Sequence, residues 1–295
     1  MRPSLTLAIA AGKGGTGKTL VATSLAAALA SRYPYQVQLV DSDVEEPNAH
    51  LLLETRFHHH SVVEIKVPRV NQQLCTECGK CAELCESNAL ALINGVLVTF
   101  AQLCSGCGLC SYICPTDALT EVPLKVGEVA RGKAEGGIEL YSGRVEVGLL
   151  RTSTVTKATK AFVDPDMISI IDCPPGTSCP MPESVEGADY ALLVTEPTPF
   201  GLHDAEEALD TCRALGVPTA VVLNRARGDY PPLEDFKRRT GAEVLLSLPH
   251  DRHIAETYSS GGHLLKASEE WREPLLQLFE AVIQRVEAAQ AGEAK

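Results

Sequence analysis

Short apolar runs alternate with segments of helical periodicity along most of this chain. The runs have the length and composition of buried β-strands and lie at residues 5–10, 36–40, 167–171, 220–223 and 244–248. An Ala- and Leu-rich segment at 20–30 has helical character. Strands that alternate with helices are typical of a mostly parallel, doubly wound α/β sheet with helices on both faces, and the pattern predicts this fold class.

The end of the chain carries one more amphipathic pattern. Apolar side chains recur at helical spacing at Leu275, Leu276, Phe279, Val282, Ile283 and Val286. Acidic residues outnumber basic ones along this segment, so its attraction to anionic lipid is poor. We therefore expect a helix that packs on the core rather than a membrane anchor.

Composition and charge narrow the class of partner. The 295 residues are 45% hydrophobic and 22% charged, as in ordinary globular proteins. Lys and Arg number 26 against 38 Asp and Glu, and the net charge of −12 disfavours nucleic acid as a partner. No run approaches the roughly 18 apolar residues of a spanning helix, and the first apolar run has no signal-peptide character. We expect a cytoplasmic protein that does not enter membranes.

Eight of the 11 cysteines form two matching sets between Cys75 and Cys114. Each set has the spacing C-x2-C-x2-C-x3-C, and a shift of 29 residues superposes the first set on the second. Cytosolic thiols stay reduced, so a dense pattern of this kind indicates metal ligation rather than disulfides. The sets are therefore interpreted as a duplicated half-module.

The spacing predicts two [4Fe–4S] clusters with crossed ligands. Three thiolates two residues apart can surround one cluster, while the fourth Cys of each run ligates the other. The first cluster would take Cys75, Cys78, Cys81 and Cys114, and the second would take Cys104, Cys107, Cys110 and Cys85. A pair of zinc sites is the alternative, because C-x2-C pairs also suit tetrahedral zinc. The segment resembles a bacterial-type two-cluster ferredoxin over roughly residues 70–120.

A phosphate-binding loop lies between the first predicted strand and the first predicted helix. Its sequence, G-x-x-x-x-G-K-T, runs through Gly12, Lys13, Gly14, Gly15, Thr16, Gly17, Lys18 and Thr19. Glycines allow backbone N–H groups to surround phosphates, and the helix N-terminus favours their negative charge. Lys18 would contact the β- and γ-phosphates, and the Thr19 hydroxyl would bind Mg²⁺.

The second lysine of this loop, Lys13, resembles the mark of the deviant Walker-A ATPases: the MinD, ParA and Mrp group and the nitrogenase iron protein. The resemblance implies a homodimer in which Lys13 reaches the ATP or ADP of the partner subunit. It also implies that Asp43 orients the attacking water and that Asp41 lies near the metal. Asp172 would hold Mg²⁺ through water, and the Gly176 amide would sense the γ-phosphate.

The same resemblance extends to the base side of the nucleotide and to the domain order. Asn224 followed by Arg225 is similar to the strand end whose Asn recognises adenine, and residues 249–251 occupy the place of a base-side loop. The chain is most similar to MinD-type ATPases that carry an inserted ferredoxin domain. The ATPase domain would comprise residues 1–64 and 123–295, interrupted by a small α+β two-cluster ferredoxin domain at residues 65–122.

Three smaller features complete the interpretation. Residues 125–148 are interpreted as a hairpin and connector that return to the ATPase. His58-His59-His60 is interpreted as a solvated loop, because consecutive side chains point to different sides and cannot easily ligate one ion. Cys179 follows the Asp172 motif and is a candidate switch-linked thiol near the dimer interface. A cluster shared between subunits is disfavoured, because no C-x2-C pair occurs outside the insert.

Together these features predict an ATPase that couples hydrolysis to electron transfer through two clusters to a redox or metallocofactor partner protein. The alternative is an assembly or insertion scaffold that resembles Mrp, in which the clusters are cargo. Firm ligation by full four-cysteine runs favours electron transfer. A spatial regulator that resembles ParA is disfavoured by the net charge of −12.

Overall fold

A computed structural model describes residues 4–293, in which strands and helices alternate over most of the chain. The strands are β1 (Leu5–Ala10), β2 (Val37–Asp41), β3 (Arg56–Val70), β4 (Leu90–Ile93), β5 (Val96–Thr99), β6 (Leu119–Lys133), β7 (Glu139–Val145), β8 (Ile168–Asp172), β9 (Tyr190–Thr195), β10 (Thr219–Ala226) and β11 (Val244–Pro249). The α-helices are α1 (Lys18–Arg32), α2 (Ala49–Leu52), α3 (Lys80–Glu83), α4 (Leu109–Tyr112), α5 (Thr152–Lys160), α6 (Pro180–Val185), α7 (Pro199–Ala214), α8 (Pro231–Thr240), α9 (Arg252–Ser259), α10 (Leu264–Ala267) and α11 (Arg272–Glu293).

Nine strands form one sheet in the order β11-β10-β9-β1-β8-β2-β7-β6-β3. The six neighbouring pairs from β11 to β7 are all parallel. Strands β2 and β8 are buried along their whole length, as strands covered on both faces must be. The five strands expected from apolar runs are confirmed.

Helices cover both faces of this sheet. Leu7 and Ile170 point into a core formed with α1 and α11, whereas Ala8 and Ile171 point into a second core formed with α6, α7 and α8. Successive residues of a strand face opposite sides, so a continuous apolar run supplies both cores. The expected doubly wound α/β fold is confirmed.

The C-terminal helix α11 belongs to the first of these cores. Leu275, Phe279 and Val282 are fully buried among residues of α1 and the sheet. The expectation that this helix packs on the core is confirmed. Within residues 4–293, no helix combines the length and the apolar composition needed to cross a membrane.

The chain forms two compact units. The first contains the residues up to His60, Val129–Arg144 and the chain from Ser153 onward, and it includes the parallel strands. The second contains Ser61–Glu128 and Val145–Thr152. Its own elements are an antiparallel pair, β4 and β5, and two one-turn helices, α3 and α4.

One of two expectations about local structure is wrong. His58–His60 lies in the 15-residue strand β3 and not in a loop. Strand β3 is the outermost strand of the sheet, where side chains at His58–His60 remain exposed and the residue types resemble those of a loop. Residues 125–148 form most of β6 and all of β7, and β7 pairs with β2. Strands β6 and β7 are consecutive and neighbouring, so the expected hairpin is confirmed, and it also extends the large sheet.

Candidate functional site

The phosphate loop joins β1 to α1 as its sequence predicts. Gly15 and Gly17 have φ angles of 76° and 97°, in the left-handed region that glycine adopts at little cost. Gly12 touches the backbone of α7, where a Cβ atom would lie 2.0 Å from the Asp204 carbonyl oxygen. Each of these three positions therefore has a local physical reason to be occupied by glycine.

Two lysines of the loop have different surroundings. Lys18 is only 6% exposed and begins α1, and Thr19 beside it is also buried. Lys13 lies earlier in the loop and is half-buried. The electrostatic influence of Lys18 reaches Asp43 and Asp172, so the three side chains form one charged group.

The acidic side chains lie at the carboxyl ends of neighbouring parallel strands. Asp41 ends β2 and Asp172 ends β8, and the two residues face each other in the strand register. Both are fully buried. Asp43 follows two residues after Asp41, close enough for its charge to affect both carboxylates.

Burial makes these carboxylates costly to ionise. It raises the pKa of Asp172 to about 7, with a contribution from Asp43 and against the effect of Lys18. Burial, followed by repulsion from Asp172, also holds the pKa of Asp41 well above its usual range. Burial raises the pKa of Asp43 to about 6, again against the effect of Lys18. A bound cation would offset the cost of ionising these three buried carboxylates.

Several buried oxygens at this place lack a hydrogen-bond partner among residues 4–293. They are Oδ1 of Asp41 and Oγ1 of Thr16, and within the described chain the Asp172 carboxylate has no partner other than the neighbouring Thr19 hydroxyl. Buried polar atoms are normally satisfied, and hard cations such as Mg²⁺ prefer oxygen ligands. The site therefore fits a divalent cation next to a bound phosphate.

The segment after Asp172 leads back to the phosphate loop. The Gly176 N–H donates a hydrogen bond to the Ala11 carbonyl oxygen at 3.0 Å. Gly176 has a φ angle of 88°, which a residue with a side chain rarely adopts. Cys173 is buried, whereas Cys179 is exposed at the start of α6.

A cavity of about 280 Å³ lies on the other side of the phosphate loop. It is lined by Gly15, Gly17, Leu20, Asn224, Arg225, Pro249, His250, Asp251, Ile254, Ala255 and Tyr258. Asn224 is buried here, and its Nδ2 donates to the Thr16 carbonyl oxygen at 2.7 Å. Its Oδ1 accepts from the Arg225 N–H at 2.9 Å. Each end of the amide has further hydrogen-bonding capacity toward a base.

Sequence reasoning misses the contribution of α9 to this cavity. Ile254 and Tyr258 are one helical turn apart, and Ala255 lies beside them. The signal is present in the sequence as an apolar i, i+4 pair after Asp251, whose carboxylate caps the helix by accepting from the backbone N–H groups of His253 and Ile254.

In the second unit, the two cysteine runs adopt the same backbone conformation. Left-handed residues pair at a spacing of 29: Glu77 with Gly106, Gly79 with Gly108, and Asn88 with Asp117. The Ala89 N–H donates to Cys85 Sγ at 3.3 Å, and the Ala118 N–H donates to Cys114 Sγ at 3.3 Å. The repeat in sequence is therefore a repeat in backbone structure.

Two cavities lie among the eight thiols, and we call them the first and second cage. The first cage is lined by Cys75, Cys78, Cys81 and Cys114. The second cage is lined by Cys85, Cys104, Cys107 and Cys110, with Cys81 also at its wall. The first cage thus takes three thiols from the first run and the last thiol of the second, whereas the second cage takes three from the second run and two, Cys81 and Cys85, from the first.

Each cage is lined by thiols, the donor groups of both zinc and iron–sulfur sites. Within residues 4–293, no three His, Cys, Asp or Glu side chains are grouped to hold a single metal ion. A zinc site needs four ligands on one ion, whereas the four thiolates of a [4Fe–4S] cluster each bind a different iron atom. Four thiols are the donor set of a [4Fe–4S] cluster and also of a tetrahedral zinc site, so the side chains that line each cage fit either group chemically.

Hydrogen bonds lower the pKa of the last thiol of each run. Burial raises the pKa of Cys85, but hydrogen bonds from Ser87 and from backbone N–H groups outweigh it, so the pKa lies below its ordinary value. Burial likewise raises the pKa of Cys114, but hydrogen bonds that include those from Thr116 and Ala118 lower it by more. Burial raises the pKa of Cys81 and of Cys110.

The nucleotide-side geometry agrees with a family comparison. The family described as CobQ/CobB/MinD/ParA nucleotide binding domain matches residues 7–264. The chain belongs to this family. The resemblance to MinD and ParA that rests on Lys13 and the order of the motifs is thereby confirmed.

Relatives and solved structures match this chain over most of its length and over most of their own. Two uncharacterized proteins of Methanocaldococcus jannaschii are each 29% identical, over 90% and 93% of this chain and 93% and 95% of their own. The septum site-determining protein MinD of Pyrococcus horikoshii, solved with Mg-ADP, is similar with a TM-score of 0.58 at 19% identity, over 95% of this chain and 96% of that one. The cell division ATPase MinD of Pyrococcus furiosus gives a TM-score of 0.56 at 20% identity, over 96% and 100%. These structures share the fold.

Proposed function

We propose that this protein is an ATP-hydrolysing iron–sulfur protein. As a homodimer it would couple ATP hydrolysis to electron transfer through two [4Fe–4S] clusters to a partner metalloprotein. The observation that carries the proposal is the pair of crossed thiol cages on the same chain as a MinD/ParA-type nucleotide site. Thiolate-ligated clusters supply one-electron transfer at low potential.

On the nucleotide side, each proposed role follows from position. Lys18 at the start of α1 binds the β- and γ-phosphates, and the Thr19 hydroxyl and the carboxylates of Asp41 and Asp172 hold Mg²⁺, Asp172 through water. Asp43 orients the attacking water. The Mg-ADP complex of the Pyrococcus horikoshii MinD supports ATP and ADP as the nucleotides and Mg²⁺ as the ion.

The remaining nucleotide contacts complete the proposal. Lys13 reaches the nucleotide of the partner subunit. Its side chain is half-buried and lies early in the phosphate loop, so it is accessible to a partner. Gly176 exchanges its bond to Ala11 for a γ-phosphate oxygen when ATP binds. Asn224 reads adenine with the hydrogen-bonding capacity that Thr16 and Arg225 leave over, and Arg225 lines the same cavity.

The chain's own contribution to the clusters is to hold thiolates in place. Backbone N–H groups donate to Cys85 and Cys114, the two thiols that cross between the runs. Such bonds stabilise a charged sulfur and fix its direction. The proposed insert at residues 65–122 would thereby bind both clusters firmly enough for repeated electron transfer.

Iron content tests the proposal most directly. Anaerobically prepared protein should carry about eight iron atoms per chain, because two clusters contain four each. Cys85→Ala should alter the electron paramagnetic resonance signal of one cluster and leave the other. Cys212→Ala is the matched control, because Cys212 is buried in α7 outside the cages and should leave both signals intact. Stoichiometric zinc, or equal damage to both clusters by Cys85→Ala, would overturn it.

One observation favours the alternative, a cluster-assembly or insertion scaffold. Cys78 in the first cage and Cys107 in the second are exposed, so each cage has a thiol from which an acceptor could begin to take a cluster. The two functions separate in a transfer assay with an apo-ferredoxin. An electron-transfer protein keeps its iron while it reduces an acceptor, whereas an assembly scaffold loses iron to the acceptor in an ATP-dependent way.

A further inference from the structure

The 29-residue repeat is kept in the backbone of both cages, whereas the side chains beside them differ at several positions, among them Leu92 and Glu121. Leu92 in β4 and Glu121 in β6 are equivalent positions, since 92 plus 29 is 121. Leu92 lines the first cage, and Glu121 lines the second. An apolar group in one half-module therefore corresponds to a carboxylate in the other.

The two side chains occupy the same place relative to the cysteines. Leu92 Cδ2 lies 3.9 Å from where a Cβ atom on Gly79 would be, and Glu121 Oε1 lies 2.9 Å from the corresponding point on Gly108. Gly79 lies between Cys78 and Cys81, and Gly108 lies between Cys107 and Cys110. The carboxylate of Glu121 therefore lies against the loop that presents two thiols of the second cage.

We infer that Glu121 lowers the reduction potential of the cluster in the second cage. This inference rests on the proposed function. Reduction adds one electron and forms or breaks no bond, so it makes the cage more negative. A neighbouring carboxylate opposes that added charge through Coulomb repulsion, whereas the leucine at the equivalent position does not.

Other groups near the cages do not change the sign of this effect. Lys66 lines the second cage, and Glu77 and Lys80 line the first, so the first cage has a carboxylate and a cation of its own and the second has one cation besides Glu121. The Gly106 N–H donates to Cys104 Sγ at 3.4 Å, a bond without a counterpart at Cys75 within the described chain, and it acts in the opposite direction. All of these groups together decide which cluster has the lower potential. Removing the Glu121 charge, however, should raise the potential of the cluster in the second cage alone.

The test is a redox titration of the anaerobic full-length chain with dithionite, followed by electron paramagnetic resonance. Glu121→Gln should raise one of the two midpoint potentials and leave the other, while Glu121→Asp, which keeps the charge, should stay near the original value. Leu92→Glu is the reciprocal variant and should lower the other potential. Both shifts should shrink when salt is raised from about 0.01 M to about 1 M, because Glu121 is exposed and screened.

The outcomes separate this inference from the proposed function. An iron content far below about eight per chain in the unaltered protein would remove the proposed function before any potential is measured. Full iron content with unchanged potentials in Glu121→Gln and Leu92→Glu would overturn the inference alone. Loss of iron from Glu121→Gln would also overturn it, because the carboxylate would then have a structural role.

Discussion

Single residues of the phosphate loop differ in how much change they allow. A Cβ atom on Gly12 would lie 2.0 Å from the Asp204 carbonyl oxygen, and that oxygen belongs to the backbone of α7. Gly12→Ala should therefore displace the loop from α7. We expect the free energy of unfolding to fall by about 1–3 kcal/mol, the usual cost of overpacking, and nucleotide affinity to fall with it. Urea unfolding and nucleotide titration measure the two effects.

Gly14 supplies the matched control for this prediction. The nearest atom to a Cβ atom there is Pro175 Cβ at 3.9 Å, an ordinary contact, and its φ angle is not left-handed. Gly14→Ala should change the free energy of unfolding by no more than about 0.5 kcal/mol. Equal effects of the two substitutions would show that the contact between Gly12 and α7 does not limit the loop.

Lys18 is a second residue whose burial makes a strong prediction. It is 6% exposed and acts electrostatically on Asp43 and Asp172. Lys18→Ala should weaken ATP binding about thirtyfold or more, because truncating one partner of a buried charge pair costs about 2–5 kcal/mol. Lys13→Ala is the comparison: it should keep nucleotide binding and lose ATP-dependent dimerisation. If both variants bound ATP normally, the phosphate roles proposed here would be wrong.

At the scale of elements, α11 is held by its apolar face. Phe279 is 1% exposed and packs in the core shared with α1. Phe279→Ala should reduce the free energy of unfolding by about 3–5 kcal/mol, the usual cost of truncating a buried aromatic residue. Gln277→Ala changes the exposed face of the same helix and should cost less than about 0.5 kcal/mol. Urea denaturation of both variants measures the difference.

A strand or helix can be predicted from this sequence where both of its faces have the same surroundings. Strands β2 and β8 are buried on both faces, so they appear as unbroken apolar runs, and Asp41 and Asp172 mark where those runs end. Strand β3 is not predictable in this way. Its exposed and half-buried positions near His58–His60 follow from its place at the sheet edge, which only the assembled sheet defines. The base-side face of α9 is missed because the helix is short and a single apolar i, i+4 pair is a weak periodic signal.

The cages could be anticipated further than the strands around them. Their geometry follows from the spacing of cysteines and from glycine at Gly79 and Gly108, which are local features. The difference between Leu92 and Glu121 is also visible in the aligned repeat. What the sequence does not reveal is that both side chains lie against those two glycines, because that contact joins segments 13 residues apart in each half-module.

At the scale of the whole molecule, the nucleotide site is tied to the elements that flank the second unit in the chain. Ser42, between Asp41 and Asp43, donates through its N–H to the Asp172 carbonyl oxygen at 3.0 Å, and its Oγ lies 3.0 Å from Ser184 Oγ in α6. Thr156 in α5 donates to the Ser42 carbonyl oxygen at 3.5 Å. Helix α5 begins at the residue where the returning segment of the second unit ends. A change at Ser42 on ATP binding would therefore act directly on α5.

This arrangement leads to the prediction that ATP changes the redox behaviour of the cages. Coupling requires that ATP distinguish two states of the second unit, and linkage then makes the effect reciprocal. A coupling free energy of about 1–3 kcal/mol is usual, which for one electron corresponds to a shift of roughly 40–130 mV. The midpoint potentials, or the rate of electron delivery to a partner, should differ between the ATP-analogue-bound and nucleotide-free protein. Asp172→Asn should remove the difference, while Asp210→Asn on the exposed face of α7 should keep it. Identical potentials and delivery rates in both states would mean that the nucleotide site and the proposed clusters share one chain without energetic coupling.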